Sequence, residues 1–148
     1  MLLLRPMRIF VIAVLGVALA LPAISIGSGT AGRLQVIAWA NRATKTAVPP
    51  ADAVKRGTYC KARPIVKLYA YVRFQGMKDK VASTATWYFN DKRVFVFPFK
   101  WEDGVAGRTA FELHRQKGAL EKGRYAIEIR AGRRLVGKGA IALKFGAC

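Results

Sequence analysis

The sequence predicts an all-β fold, an antiparallel sandwich of about six to seven strands, and three observations carry that prediction. From about Ala62 to the C-terminus apolar and polar residues alternate with a period of two, which places alternate side chains on opposite faces of a strand. The alternating runs are short and are broken by Gly, Asn and Asp at turn positions, as hairpin connections require. The chain has 148 residues, room for one domain and a leader, and too few for a two-domain enzyme or a doubly wound sheet.

The first segment reads as an export signal. Arg5 and Arg8 precede a stretch from Ile9 to Gly32 that carries no charge. Its apolar part, Ile9 to Leu21, has the length of a signal h-region, and Pro22 breaks it just before small residues suited to a processing peptidase. The expected arrangement is a signal peptide or uncleaved signal anchor over 1–25, a tether over 26–60 and the sandwich over 61–148. Either fate of the leader places the domain outside the cytoplasm, in the periplasm or secreted, or anchored at the inner membrane facing the periplasm. Gly27-Ser28-Gly29-Thr30-Ala31-Gly32 spells a dinucleotide-binding fingerprint, with Asp52 twenty residues on. The preceding apolar run is too long for a strand, however, and the following one reaches Pro49-Pro50, so the strand–turn–helix context that the motif needs is missing. In the tether, Leu34, Ile37 and Trp39 suggest a short amphipathic turn, and Val48 to Asp52 an extended linker.

Six strands follow. Over Pro64 to Phe74, Val66, Leu68, Ala70, Val72 and Phe74 form one face, and Lys67, Tyr69, Tyr71 and Arg73 the other. Over Val81 to Asn90, Ala85, Trp87 and Phe89 point inward, and Asn90-Asp91 turns the chain. Arg93 to Trp101 is apolar on both sides, with Phe95, Phe97, Phe99 and Trp101 expected in the core. Val94, Val96 and Pro98 remain on the outer side of what Pro98 marks as an edge strand. Phe111 and Leu113 point inward from Thr109 to Arg115. Tyr125, Ile127 and Ile129 do so from Arg124 to Arg130, and Ile141, Leu143 and Phe145 from Leu135 to Phe145.

Leu120-Glu121-Lys122-Gly123-Arg124-Tyr125-Ala126-Ile127-Glu128-Ile129 resembles the tyrosine corner of immunoglobulin-like and fibronectin type III-like sandwiches. There a Tyr near the start of strand F sends its hydroxyl to an upstream backbone group. The resemblance implies an immunoglobulin-like antiparallel β-sandwich over about Ala62 to Phe145, with Tyr125 as the pin, Gly123 permitting tight entry and Trp87 as the plug between sheets. The chain departs from the antibody pattern: position 127 is Ile rather than Cys, and Leu68 and Ala70 stand where its partner would. In such a sandwich Cys60 and Cys148 flank the start of strand B and the end of strand G, at one pole. The cysteines, 88 positions apart and the only two in the chain, are read as a structural disulfide, in keeping with export.

Enzyme chemistry has little support in the sequence. His114 is the only imidazole and is expected to point outward beside Glu112, which leaves a nucleophilic triad without its base. Glu102-Asp103 is the only adjacent carboxylate pair and precedes Gly104 in a turn. One His and two Cys do not make a zinc site, and neither a cofactor nor a metal is expected. Charge says more. The chain carries 26 Lys and Arg against 8 Asp and Glu, a formal net charge of +18. From Lys61 to Cys148 there are 19 against 7, so the excess belongs to the domain. Lys67, Tyr69, Tyr71 and Arg73 on one sheet face, and Arg130, Arg133, Arg134 and Lys138 at a hairpin, form the expected binding surfaces. Basic residues interleaved with aromatics can hold a polyanion. The expected partner is an anionic envelope component or an acidic protein, with nucleic acid less favoured. The same Lys and Arg can also simply solvate a sheet and guard its edges. The expected function is that of an exported, non-enzymatic binding or accessory module. The alternatives are an anchored structural subunit pairing with a partner through its edge strand, or an enzyme inhibitor.

Overall fold

The computed structural model describes residues 32–148. The leader and cleavage region lie outside the described residues. Eight strands build two sheets: β1 (Arg33–Ala40), β2 (Thr58–Lys61), β3 (Lys67–Gln75), β4 (Ala82–Phe89), β5 (Lys92–Lys100), β6 (Gly107–His114), β7 (Gly123–Ala131) and β8 (Arg134–Phe145). One sheet has the order β1-β3-β6, the other β2-β8-β7-β4-β5. All pairings are antiparallel except β2 with β8. A three-stranded sheet facing one that ends in a C′-like edge strand, with the N-terminal strand split between the two, is the immunoglobulin-like arrangement.

The alternation read from the sequence is the physical basis of the core. Leu68, Ala70, Val72 and Phe74 from β3, Ala85 and Trp87 from β4, Tyr125, Ile127 and Ile129 from β7, and Ile141 and Leu143 from β8 all face the space between the sheets and are buried. Trp87 stacks edge-on against Trp39 at 6.1 Å between centroids. The Tyr125 hydroxyl donates to the Glu121 carbonyl at 2.8 Å, and burial raises its pKa. This is the tyrosine corner. A Cβ on Gly123 would meet the Phe89 ring at 2.5 Å, which explains the glycine there. Asn90 and Asp91 both take positive φ, 46° and 66°, the two-residue turn that matches strand twist.

Two expectations about chain organisation are corrected. The segment read as a tether is built into the fold: β1 hydrogen-bonds along β3, with a bulge between Val36 and Ala38, and β2 runs alongside β8. The bulge resets the alternation, so that Leu34 and Trp39 both reach the core although their spacing does not fit one strand face. Val66, expected inward, precedes β3 and is exposed.

The sandwich is closed on one side and open on the other. Along β1 and β8 the sheets nearly touch: Cβ atoms placed at Gly137 and Gly139 would lie 2.7 Å from Leu34 and from Val36. Opposite, β5 and β6 are the free edges of different sheets. At one pole lie Gly32, the β3–β4 and β5–β6 loops and the β7–β8 hairpin. At the other lie the β4–β5 turn, the β6–β7 loop and the Cys60–Cys148 disulfide, whose Cα atoms are 6.1 Å apart.

Candidate functional site

The expected tyrosine-bearing face is not a binding surface of the kind predicted. Tyr69 and Tyr71 do sit on the outward side of β3, but both are buried, Tyr71 completely. They form a second small apolar cluster with Ala38 and Ala40, against which Ile37, Ala53 and Ala110 pack. The chain from 41 to 57 doubles back here: Trp39 and Val54 exchange backbone hydrogen bonds at 2.8 and 2.9 Å, and the Tyr71 hydroxyl donates to the Arg42 carbonyl at 2.7 Å. The alternation of β3 correctly separates its two faces but carries no information about what covers the second. The one signal in the sequence is the set of small residues, Ala38, Ala40, Ala53 and Ala110, which leaves space for two phenol rings.

Beside this cluster, Tyr69 donates its hydroxyl to Glu112, and Lys67 forms an ion pair with the same carboxylate at 3.2 Å. His114 Nδ1 lies 3.9 Å from it. Partial burial pushes the Glu112 carboxyl up, but the hydrogen bonds from Tyr69 and Lys67 outweigh it and hold the group below its ordinary range. Burial, followed by the bond to Glu112, raises the Tyr69 phenol. Lys67 is therefore spoken for, while Arg73 stays exposed and faces Arg108 across the β3–β6 ladder. At the β7–β8 hairpin Arg130 pairs with Glu128 at 3.6 Å and donates to the Arg133 carbonyl at 3.1 Å. Arg134 donates to the Gly32 carbonyl at 3.1 Å, and Lys138 lies opposite Glu128 in register. Tyr88, not Tyr69 or Tyr71, is the tyrosine near this second cluster, its hydroxyl 3.4 Å from Glu128.

The more distinctive surface is the open side between β5 and β6. The core-facing row of β5 is Phe95, Phe97 and Phe99, opposite Trp87, Ala85 and Ser83 in the ladder with β4. Phe99 packs on Phe111 of β6 at 5.6 Å between centroids, and Trp101 is fully buried against Phe74. Phe95 and Phe97 were expected in the core, and here the structure differs. They are 46% and 49% exposed, and Val94 and Val96 on the other face are 50% and 43% exposed. The reason is strand number. The larger sheet overhangs the smaller one, so the inward face of β5 looks into an open groove rather than onto a strand. That groove has a volume of about 540 Å³ beside Phe97 and Phe111. A section of about 320 Å³ continues it past Phe95 toward Leu120 and Tyr125. Lys92, Arg93 and Lys100 stand at the two ends of β5.

Among the described residues no group of three or more His, Cys, Asp or Glu could hold a metal ion. Glu102 and Asp103 lie exposed in the β5–β6 loop, and Asp79 accepts a hydrogen bond from the Gly104 amide at 3.0 Å.

No family model matches the sequence, and no curated protein does. Solved structures similar in fold include the CARDB domain of a Pyrococcus furiosus protein in complex with di-metal ions, at 7% identity and a TM-score of 0.42, covering 78% of this chain and 94% of that one. An immunoglobulin-like protein from Pseudomonas aeruginosa matches at 10% identity and a TM-score of 0.45, over 79% of this chain and 99% of that one. An alkylpurine DNA glycosylase from Pseudomonas fluorescens, bound to DNA containing an abasic site analog, matches at 10% identity and a TM-score of 0.36 over 59% of this chain and 27% of its own. The fold assignment rests on this chain's own strand order and tyrosine corner: residues 32–148 form an immunoglobulin-like β-sandwich.

Proposed function

We propose that the chain is an exported, non-enzymatic binding module that takes an extended segment of a partner protein along the free edge of β5. The observation that carries the proposal is the exposure of Val94, Phe95, Val96 and Phe97 on both faces of one edge strand. Such an edge offers unpaired backbone groups for strand addition and apolar pockets for alternate side chains. Charge selects the partner. Lys92 and Arg93 at one end and Lys100 at the other favour an apolar strand flanked by acidic residues. Antiparallel pairing of two copies of β5 would set like charges against each other at both ends. Export is supported by the charge pattern of the leader and by the Cys60–Cys148 pair, since such bonds persist in oxidising compartments.

The test is titration of the isotope-labelled full chain with a synthetic strand of alternating Val and Thr flanked by Glu, against the same peptide flanked by Lys and a version interrupted by Pro. Amide shifts concentrated on β5 and β6 with the Glu-flanked peptide, weakened by Phe97→Lys, are the expected result. Uniform or absent shifts, equal binding of all three peptides, or a β5-mediated dimer by sedimentation would overturn the reading.

A further inference from the structure

Strand register gathers arginines on the outer face of the smaller sheet. Arg73 of β3 and Arg108 of β6 stand directly opposite each other. Among the described residues, no other directly opposed pair in the ladders of either sheet consists of two Lys or Arg residues. The approach is close. Just beyond the pairing of Lys67 with His114, the Arg115 amide donates to the Val66 carbonyl at 3.1 Å, which marks a hydrogen-bonded position of this antiparallel ladder. Counting along the unbroken register from there, Arg73 and Arg108 fall on a non-hydrogen-bonded position, where facing side chains come nearest. Like charges so placed cost stability. On its other side Arg73 has Gln35 of β1 as ladder neighbour, and Arg33 pairs with Gln75, which sets Arg33 diagonal to Arg73 and within reach of a long side chain. All five residues are exposed, and among the described residues none of the three arginines is in an ion pair. Other basic residues, Arg56 and Arg63 among them, are exposed and unpaired as well; what distinguishes this group is its convergence. The carboxylate of the same face, Glu112, lies beyond Ala110 on β6 and is held by Tyr69 and Lys67.

We infer that Arg33, Arg73 and Arg108, with the amides of Gln35 and Gln75, form a binding site for a phosphate group in its dianionic form, free or as a monoester. The planar guanidinium fork matches the spacing of phosphate oxygens and donates to two of them at once. The Gln side chains add N–H donors without adding charge. The dianion suits the site because the cost of the Arg73–Arg108 pair is relieved only when negative charge lies between them, and two guanidiniums are neutralised by two charges. A carboxylate or a sulfate ester brings one. The site is independent of the β5 reading: it lies on the outer face of the smaller sheet, whereas the groove opens between the sheets.

The experiment titrates the isotope-labelled full chain with inorganic phosphate and, separately, with phosphorylethanolamine, chloride being adjusted to hold ionic strength constant. Saturable shifts of the Arg73 and Arg108 Nε–Hε signals are expected, with those of Arg56 and Arg63 unmoved. Thermal unfolding supplies the second readout, because a ligand that binds only the folded state raises Tm. Without phosphate, Arg108→Gln removes the repulsion and is expected to raise Tm by about 1 °C or more. The same variant is expected to lose the phosphate-dependent rise seen in the parent. Arg73→Gln repeats the test from the other strand, and the double variant Arg56→Gln/Arg63→Gln is expected to keep the rise. Phosphate at high concentration stabilises folded proteins in general, so each rise is read as the difference between parent and variant. A response to inorganic phosphate alone assigns the site to the free ion, and one to phosphorylethanolamine assigns it to a monoester; both support the inference. Equal shifts at all exposed arginines, an equal response to methyl sulfate, or a phosphate-dependent rise retained in both Arg108→Gln and Arg73→Gln overturns it.

Discussion

Replacing Gly137 by Ala separates two explanations for a glycine in mid-strand. Gly137 lies in β8, and its φ is outside the left-handed region, so on conformational grounds alone Ala should stabilise the strand by about 0.5 to 1 kcal/mol. Space argues the other way. The added Cβ would lie 2.7 Å from the Leu34 Cβ and 2.8 Å from the Leu34 carbonyl oxygen, and the oxygen belongs to the backbone of β1, which cannot rotate aside. Overpacking of this kind costs about 1 to 3 kcal/mol, so the net expectation is a loss of about 1 to 2 kcal/mol. For a domain of this size that corresponds to a fall of roughly 4 to 8 °C in Tm. Thermal unfolding of the variant measures it, and hydrogen exchange locates it: β1 amides should exchange faster, while those of β4 and β7 change only with global stability. A variant as stable as the parent, or more so, would refute the claim that β1 and β8 are held together by the absence of a side chain. Gly139→Ala gives a second reading, since its Cβ would meet the branched Val36 side chain at 2.7 to 3.1 Å.

Further predictions follow from single contacts. Tyr125→Phe keeps the ring against Phe89, 4.9 Å away, and removes only the bond to the Glu121 carbonyl, so chemical denaturation should show a loss of about 1 kcal/mol with an unchanged m-value. Glu112 has its pKa lowered in the folded state, so its contribution to stability is present above its unfolded value and is lost as pH falls through the folded one. Tyr69→Phe should raise the Glu112 pKa, read by carboxyl NMR titration, and move that acid loss to higher pH. An unshifted titration would show that the phenol does not hold the carboxylate. Replacing Cys60 and Cys148 with Ser opens a closure spanning 88 residues and should lower stability by about 3 to 5 kcal/mol in the chain-entropy model. Urea unfolding of the double variant against the oxidised parent is the measurement.

Local patterning carried much of this molecule. The period-two alternation of β3, β4, β7 and β8 is enough to name the core, because opposite faces of a strand meet different solvents whatever the strand pairs with. The corner at Tyr125 was legible for a similar reason: its hydroxyl reaches a carbonyl only four residues away, inside one short stretch of chain. The tertiary structure decided what depends on residues distant in sequence. Phe95 and Phe97 have the pattern of core residues, yet they face open space because the opposing sheet is narrower. Tyr69 and Tyr71 have the pattern of surface residues, yet the chain from 41 to 57 lies over them. The pairing of Arg73 with Arg108 follows from strand register. Alternation tells a side chain which face of its strand it occupies; whether that face meets water, a second sheet or a loop is set by how many strands pack opposite it, and that is a property of the assembled fold.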